Sequence, residues 1–200
     1  MRKLILVIAA VVLSCAFGTK NAGAVIADLS AVSATNVTIT GNDAIFSRTA
    51  INGQGTGNFD SFLRIQNTGN ETGYNTDGTV EFDTKSDPHT HSIQISSVPT
   101  VNINGIDYKE FALDAAEPSG NTISIDVINI YLLGAANITD YSTWSAANTP
   151  KYVLDVPSNN SVLLDNVTGN GVADLFVYVP VSRFTGSNTW VYFYTQMSLA

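Results

Sequence analysis

Residues 111–132 read FALDAAEPSGNTISIDVINIYL, two apolar segments on either side of a turn that carries Asp114 and Glu117, with Asp126 inside the second segment. There, Ile123 and Ile125 alternate with Ser124 and Asp126, but beyond Val127 the apolar set changes parity and continues on Ile128, Ile130 and Leu132. Successive side chains of a strand point to opposite sides of a sheet, so an unbroken strand cannot keep both sets on one face. A bulge or kink near Asp126 resolves the conflict. Pro118, Gly120 and Asn121 turn the chain beside it, so the stretch predicts a kinked pair of core strands with carboxylates at the bend.

Outward from this stretch the chain is rich in Thr, Ser, Asn and Gly, with short β-branched runs and no sustained helical period. Residues 36–40, NVTIT, alternate cleanly; Gly41-Asn42 signals a turn, and 44–46 return, with Val37 and Ile39 facing inward. Residues 101–107, VNINGID, hold Asn104-Gly105 between alternating segments, the strongest hairpin signal in the chain. Further strands are expected over 61–66, 79–83, 91–96, 151–155, 161–165, 172–179 and 189–195, the 172–179 run being apolar on both faces as a central strand requires. Residues 50–60 and 67–78 read as polar loops, the latter anchored by Tyr74, and 134–150 as a segment anchored by Tyr141 and Trp144 with room for a short helical turn. The fold class expected is all-β, a single-domain antiparallel β-sandwich of jelly-roll-like kind.

The chain opens MRKLILVIAAVVLSCAFGTKNAGA, with Arg2 and Lys3 ahead of an apolar core and a small-residue site at Ala22-Gly23-Ala24. This predicts a secretory signal peptide over residues 1–24 and a β-sandwich domain over 25–200 that is secreted, extracellular or at the cell surface. Val12-Leu13-Ser14-Cys15 resembles a lipobox in which Cys15 would be lipidated, but Leu13 fits that pattern poorly and the Ala22-Gly23-Ala24 site is the better match. Cleavage after Ala24 removes the one cysteine, so burial, hydrogen bonds or bound ions must stabilise the domain without a disulfide. It also leaves six basic residues against 17 acidic ones, a net charge of −11. Such a surface disfavours nucleic acid and anionic membranes and attracts cations. No later run reaches the roughly 20 apolar residues of a membrane helix.

Several words taken in order, GTGNFDSFLRIQNTG at 55–69, GYNTDGTVEFDTK at 73–85, THSIQISSVPTVNINGIDYKEFALDAAEP at 90–118, ISIDVINIYL at 123–132 and SVLLDNVTGNGVADLFVYVP at 161–180, resemble a group of uncharacterised bacterial exported proteins, many of which end in a PEP-CTERM sorting tail. The resemblance covers nearly the whole mature chain. It implies a secreted or surface-sorted β-sandwich with no established activity, in organisms that make abundant exopolysaccharide. Residues 189–200 carry no Pro-Glu-Pro motif, apolar tail or basic terminal cluster, so on this reading either the chain continues beyond Ala200 or this member is released instead of sorted.

Four constellations are candidates for function. Asp114, Glu117 and Asp126, together with Asp165, Asn170 and Asp174, could converge on calcium if their loops share one end of the sandwich; the simpler reading is a solvated acidic rim with Asx turns. His89 and His91 lie at i and i+2 near Asp83 and Asp87 but lack the ligands of a zinc site. Trp190, Tyr192 and Tyr194 alternate with Val191 and Phe193, so they share the face away from the core, either as a platform for sugar rings or as cross-strand packing under a loop. Glu81, Glu110 and Glu117 are the carboxylates from which a glycosidase pair would be drawn. With no nucleophile elbow, phosphate loop or cysteine nucleophile, the function expected is that of an exported non-catalytic surface or extracellular-matrix protein, with calcium as a candidate stabilising ion and exopolysaccharide or other surface proteins as its partners. A carbohydrate-binding module is the alternative, and a glycan-active hydrolase the third reading.

Overall fold

A computed structural model describes residues 23–31, 36–39, 41–51, 61–115, 122–165 and 173–200. These form two β-sheets packed face to face, an all-β sandwich. One sheet orders its strands β1 (Ile26–Leu29), β10 (Ser161–Leu164), β8 (Ile123–Leu133), β12 (Trp190–Leu199) and β4 (Glu71–Tyr74), with β5 (Ile93–Gln94) added to β12 and β9 (Tyr152–Val153) to β8. The other orders β2 (Asn36–Thr38), β3 (Ile45–Ser47), β11 (Leu175–Pro180), β7 (Ile106–Leu113) and β6 (Thr100–Ile103). Every pairing is antiparallel except β1 with β10, which runs parallel and departs from the purely antiparallel expectation. No helix among the described residues is long and apolar enough to cross a membrane.

The bulge lies where the parity change puts it. Ile125 pairs with Met197 and Val127 with Gln196, so Asp126 is the extra residue of β8 opposite the Gln196–Met197 step. The insertion lets Ile123, Ile125, Ile128, Ile130 and Leu132 all reach the same core, where they meet Phe111, Leu175, Val177 and Val179 of the facing sheet. Asp126 itself accepts from Ser124 Oγ and Ser198 Oγ, both at 2.6 Å, which ties β8 to β12 across the outer face. β11 is buried along its whole length because its second face, Phe176 and Tyr178, packs with Tyr108 and Val101 on the outside of its sheet. The Asn104-Gly105 turn joins β6 to β7 with both residues at positive φ, 52° and 86°, the geometry a two-residue hairpin selects.

Two predicted strands are absent. Residues 61–66 make one isolated bridge, Ile65 to Thr84, and 79–83 contain a turn in which Thr84 N donates to Glu81 O at 3.3 Å. Conversely, residues 71–74, read as loop, form β4 against β12. Gly73 explains why. Ile65 crosses so close over it that a Cβ there would lie 2.2 Å from Ile65 Cγ2 and 2.5 Å from Thr84 Oγ1. A glycine in a polar run carries little strand signal, yet only glycine admits this crossing.

Between β4 and β5 the side chain of Asn75, with no exposure, takes the place of strand backbone. Its Nδ2 donates to Val191 O at 2.9 Å and its Oδ1 accepts from Phe193 N at 2.7 Å. Gly73→Ala should lower stability by about 1–3 kcal/mol through overpacking. Gly134→Ala, where a Cβ would meet only Asn188 Oδ1 at 3.6 Å, should stay within about 0.5 kcal/mol of wild type in the same denaturant titration.

Candidate functional site

On the open side of the sandwich, away from β1 and β2, the chain from Ser61 to Gln66 runs beside a cleft of about 1300 Å³. Phe62 reaches into the core from this segment, edge-on to Phe111 at 6.4 Å and to Phe193 at 6.0 Å, and so bridges the two sheets. Leu113, Ile128 and Met197 continue the apolar wall, while Arg64, Glu71, His89 and His91 stand at the rim. The rim is positioned by two backbone bonds, His91 N donating to Phe62 O at 3.0 Å and Lys85 N to Arg64 O at 2.9 Å, and by the Thr90 side chain, whose Oγ1 accepts from Arg64 N at 3.0 Å. An apolar wall with a few polar groups at its mouth is the usual form of a ligand site. Residues 61–66 fell inside a sequence-predicted strand, and no alternation marked them as a cleft wall, so the site was missed at that level.

The six residues considered for calcium are not assembled as expected. Asp174 Oδ2 accepts from Ala115 N at 2.9 Å, and Asp174 N donates to Leu113 O at 2.8 Å, so the start of β11 meets the end of β7 and brings Asp174 beside the Asp114 segment. Asp126 is elsewhere, on the outer face of the other sheet with Ser124 and Ser198. Asp165 follows β10, where its carbonyl and that of Leu29 accept from Arg48 Nη1 at 2.8 and 3.2 Å. Glu117 and Asn170 lie outside the described residues. Among the described residues no three acidic, histidine or cysteine side chains group as metal ligands. For the His89 and His91 pair, the nearby carboxylates have other partners: Asp83 accepts from Asn67 Nδ2 and Thr72 N, and Asp87 pairs with Arg64 at 2.8 Å.

The terminal aromatics do face away from the core, but they are covered. The helix α1 (Tyr141–Ala147) lies over them. Tyr141 stacks on Tyr194 at 4.2 Å and 17°, and Trp144 packs 5.3 Å from Tyr192 and edge-on to Tyr131 at 5.0 Å. Tyr192 is fully buried, its hydroxyl accepting from Ile138 N at 2.8 Å and donating to Ala135 O at 2.9 Å. With Tyr194 only 6% exposed, Trp190 alone of the three keeps part of a ring open, so the stripe is packing under a loop and helix rather than a sugar platform. Phe82 closes the cluster from outside with φ of 58°, a left-handed conformation uncommon for an aromatic residue, its ring edge-on to Tyr74, Tyr141 and Tyr194.

Of the glycosidase carboxylates, Glu117 lies outside the described residues, and Glu81 and Glu110 are apart. Glu81 serves the aromatic cluster, accepting from the Tyr74 hydroxyl and from Tyr141 N. Glu110 neighbours core-facing Phe111 on β7 and so faces outward, beside Tyr178, where burial pushes its carboxyl above the usual range. Both sheets therefore stand between Glu81 and Glu110. Sheets packed about 10 Å apart exceed the roughly 5–9.5 Å separation that a glycosidase pair uses. No protein-family model matches this chain, and no curated protein or solved structure does.

Burial raises the hydroxyls of Tyr74, Tyr131, Tyr152, Tyr178, Tyr192 and Tyr194 above their ordinary value of 10.0, Tyr131 to about 12. The folded chain thus holds these protons where the unfolded chain releases them, so their contribution is complete below pH 10 and is lost as pH climbs above it. In an alkaline titration, tyrosinate absorbance from these six side chains should appear steeply and together with loss of far-ultraviolet dichroism. A gradual rise ahead of unfolding would contradict their burial.

Proposed function

We propose that the protein is an exported, non-catalytic component of the cell surface or extracellular matrix, and that its inter-sheet cleft holds a segment of exopolysaccharide. The cleft carries this reading. It combines an aromatic and aliphatic wall with hydrogen-bonding side chains at its mouth, and its volume exceeds the roughly 300–1,000 Å³ of sites for small molecules. Sugar rings are themselves two-sided, with apolar C–H faces and hydroxyl edges, and match such a lining. A non-catalytic role is supported by the carboxylates, since Glu81 and Glu110 serve packing on opposite outer faces. Export rests on the leader at residues 1–24.

For calcium, the Asp114–Asp174 corner at the end of β7 is the remaining locus, and it adjoins the cleft through Asp114 and Ala115. Melting in EDTA and in added calcium separates the cases, equal temperatures removing the ion from the proposal.

The ligand is tested by calorimetric titration of the exported protein with a panel of neutral and acidic bacterial polysaccharides. Arg64→Ala and His89→Ala should each weaken binding by about tenfold, about 1.4 kcal/mol, while Trp190→Ala should leave it unchanged. Absence of heat across the panel, or a loss on Trp190→Ala instead, would sink the cleft as the glycan site.

A further inference from the structure

The first strand starts two residues beyond the leader's cleavage site, and the residues at that junction are held by a buried socket. Val25 N donates to Asn160 Oδ1 at 3.2 Å, and Ser161 N donates to Val25 O at 3.2 Å. Asn160 is only 2% exposed; its Nδ2 donates to Leu154 O at 2.8 Å and its own backbone N–H to Asp155 Oδ1 at 3.1 Å. Ser158 Oγ has one proton to donate between two acceptors, Asn160 Oδ1 at 3.1 Å and Gly23 O at 2.9 Å, and the second of these leaves with the leader. The socket is acidic. Burial raises the Asp155 carboxyl, and the negative charge of Asp126 raises it further. Neither residue takes part in the ion pairs among the described residues, which join Arg64 to Asp87 and Arg183 to Asp43.

Hydrolysis of the Ala24–Val25 peptide bond by the exporting cell's leader peptidase takes up one water, leaves a carboxylate on Ala24 and frees the amine of Val25. That amine takes a proton and is largely an ammonium at neutral pH, since α-amino groups titrate near 8. We propose that Asn160, Ser158 and Asp155 form the docking site of this new α-ammonium, so that removal of the leader fastens β1 onto β10. The inference rests on the export reading given above. The amide N–H of Val25 offers Asn160 one neutral donor; the ammonium offers three charged ones, and charge-assisted hydrogen bonds are about twice as strong. It also brings the missing positive charge to the Asp155–Asp126 pair. β1 pairs with β10 along all four of its residues, with Ala27 and Leu29 buried, so the docked ammonium would secure the open end of a ladder that already exists.

The test uses the full chain exported from its own leader, with the N-terminal residue read by mass spectrometry and the α-amine then acylated selectively. With Val25 first, acylation should lower the melting temperature by about 2–4 °C, and in Asp155→Asn, which keeps the acceptor for Asn160 N but not the charge, the same acylation should cost less than half as much. Equal melting of free and acylated wild type, within about 1 °C, overturns the socket while leaving export intact. A first residue other than Val25, or a retained leader, overturns both the socket and the processing on which the export reading stands. An undiminished effect in Asp155→Asn overturns the charge pairing.

Discussion

The pairing of β8 with β12 is the constraint on which the other positions depend. It runs over ten residue pairs and is interrupted once, at Asp126. Without the inserted residue, Ile128, Ile130 and Leu132 would face the side now occupied by Tyr131 and Leu133, and one half of the strand would be inverted relative to the other. With it, one strand supplies a continuous aliphatic face to the core and, on the reverse, an aromatic face to α1. The two outer covers of this sheet follow from the same break. Ahead of the bulge the outer side chains are small and polar, Ser124 with Ser198, and the Asp126 carboxylate joins them. Beyond it they include Tyr131, Leu133, Tyr192 and Tyr194, which need the helix.

Where the strands are too short to satisfy one another, buried asparagines replace backbone. Asn42 gathers Val153 O, Leu154 O and Val156 O on its Nδ2 and accepts from Ala44 N and the Tyr152 hydroxyl. Asn75 spans the gap between β4 and β5, and Asn160 holds the entry to β1. An amide side chain presents the same donor and acceptor as a peptide group, so each of these residues continues a hydrogen-bond ladder across a point where the main chain turns away. Their buried groups are costly to leave unmade, which makes these junctions specific as well as stable. With a single cysteine in its sequence the chain can close no internal disulfide, and it can fix its loops in this way.

Much of the fold was legible because the signals were two-fold. The parity change at Asp126, the Asn104-Gly105 hairpin, the doubly buried β11 and the Tyr141–Trp144 turn all follow from alternation or turn chemistry, and the structure places each where the residues indicate. The failures occur where tertiary contact outweighs local pattern. β4 depends on Gly73 giving room to Ile65, a relation between residues eight apart that neither segment displays by itself. Residues 79–83, by contrast, look like a strand, yet Phe82 adopts a positive φ so that its ring can reach Tyr74, Tyr141 and Tyr194. For the candidate site, the sequence gives the chemistry of each side chain but not which sheet face it occupies relative to another. Asp126 and Asp174 share an acidic character and end up on different sheets.

That distribution bears directly on function. In this sandwich the tyrosine stripe, Glu81 and Glu110 are consumed by covering the outer faces of the sheets, because both faces of each sheet must be shielded and only one is shielded by the other sheet. What remains open is the edge. On the β4–β6 side closure falls to Phe62 and the irregular segment around it. A wall built from an irregular segment can change in sequence without loss of the ladder behind it. The wall of the cleft is therefore the part of this molecule least constrained by the ladders of the two sheets.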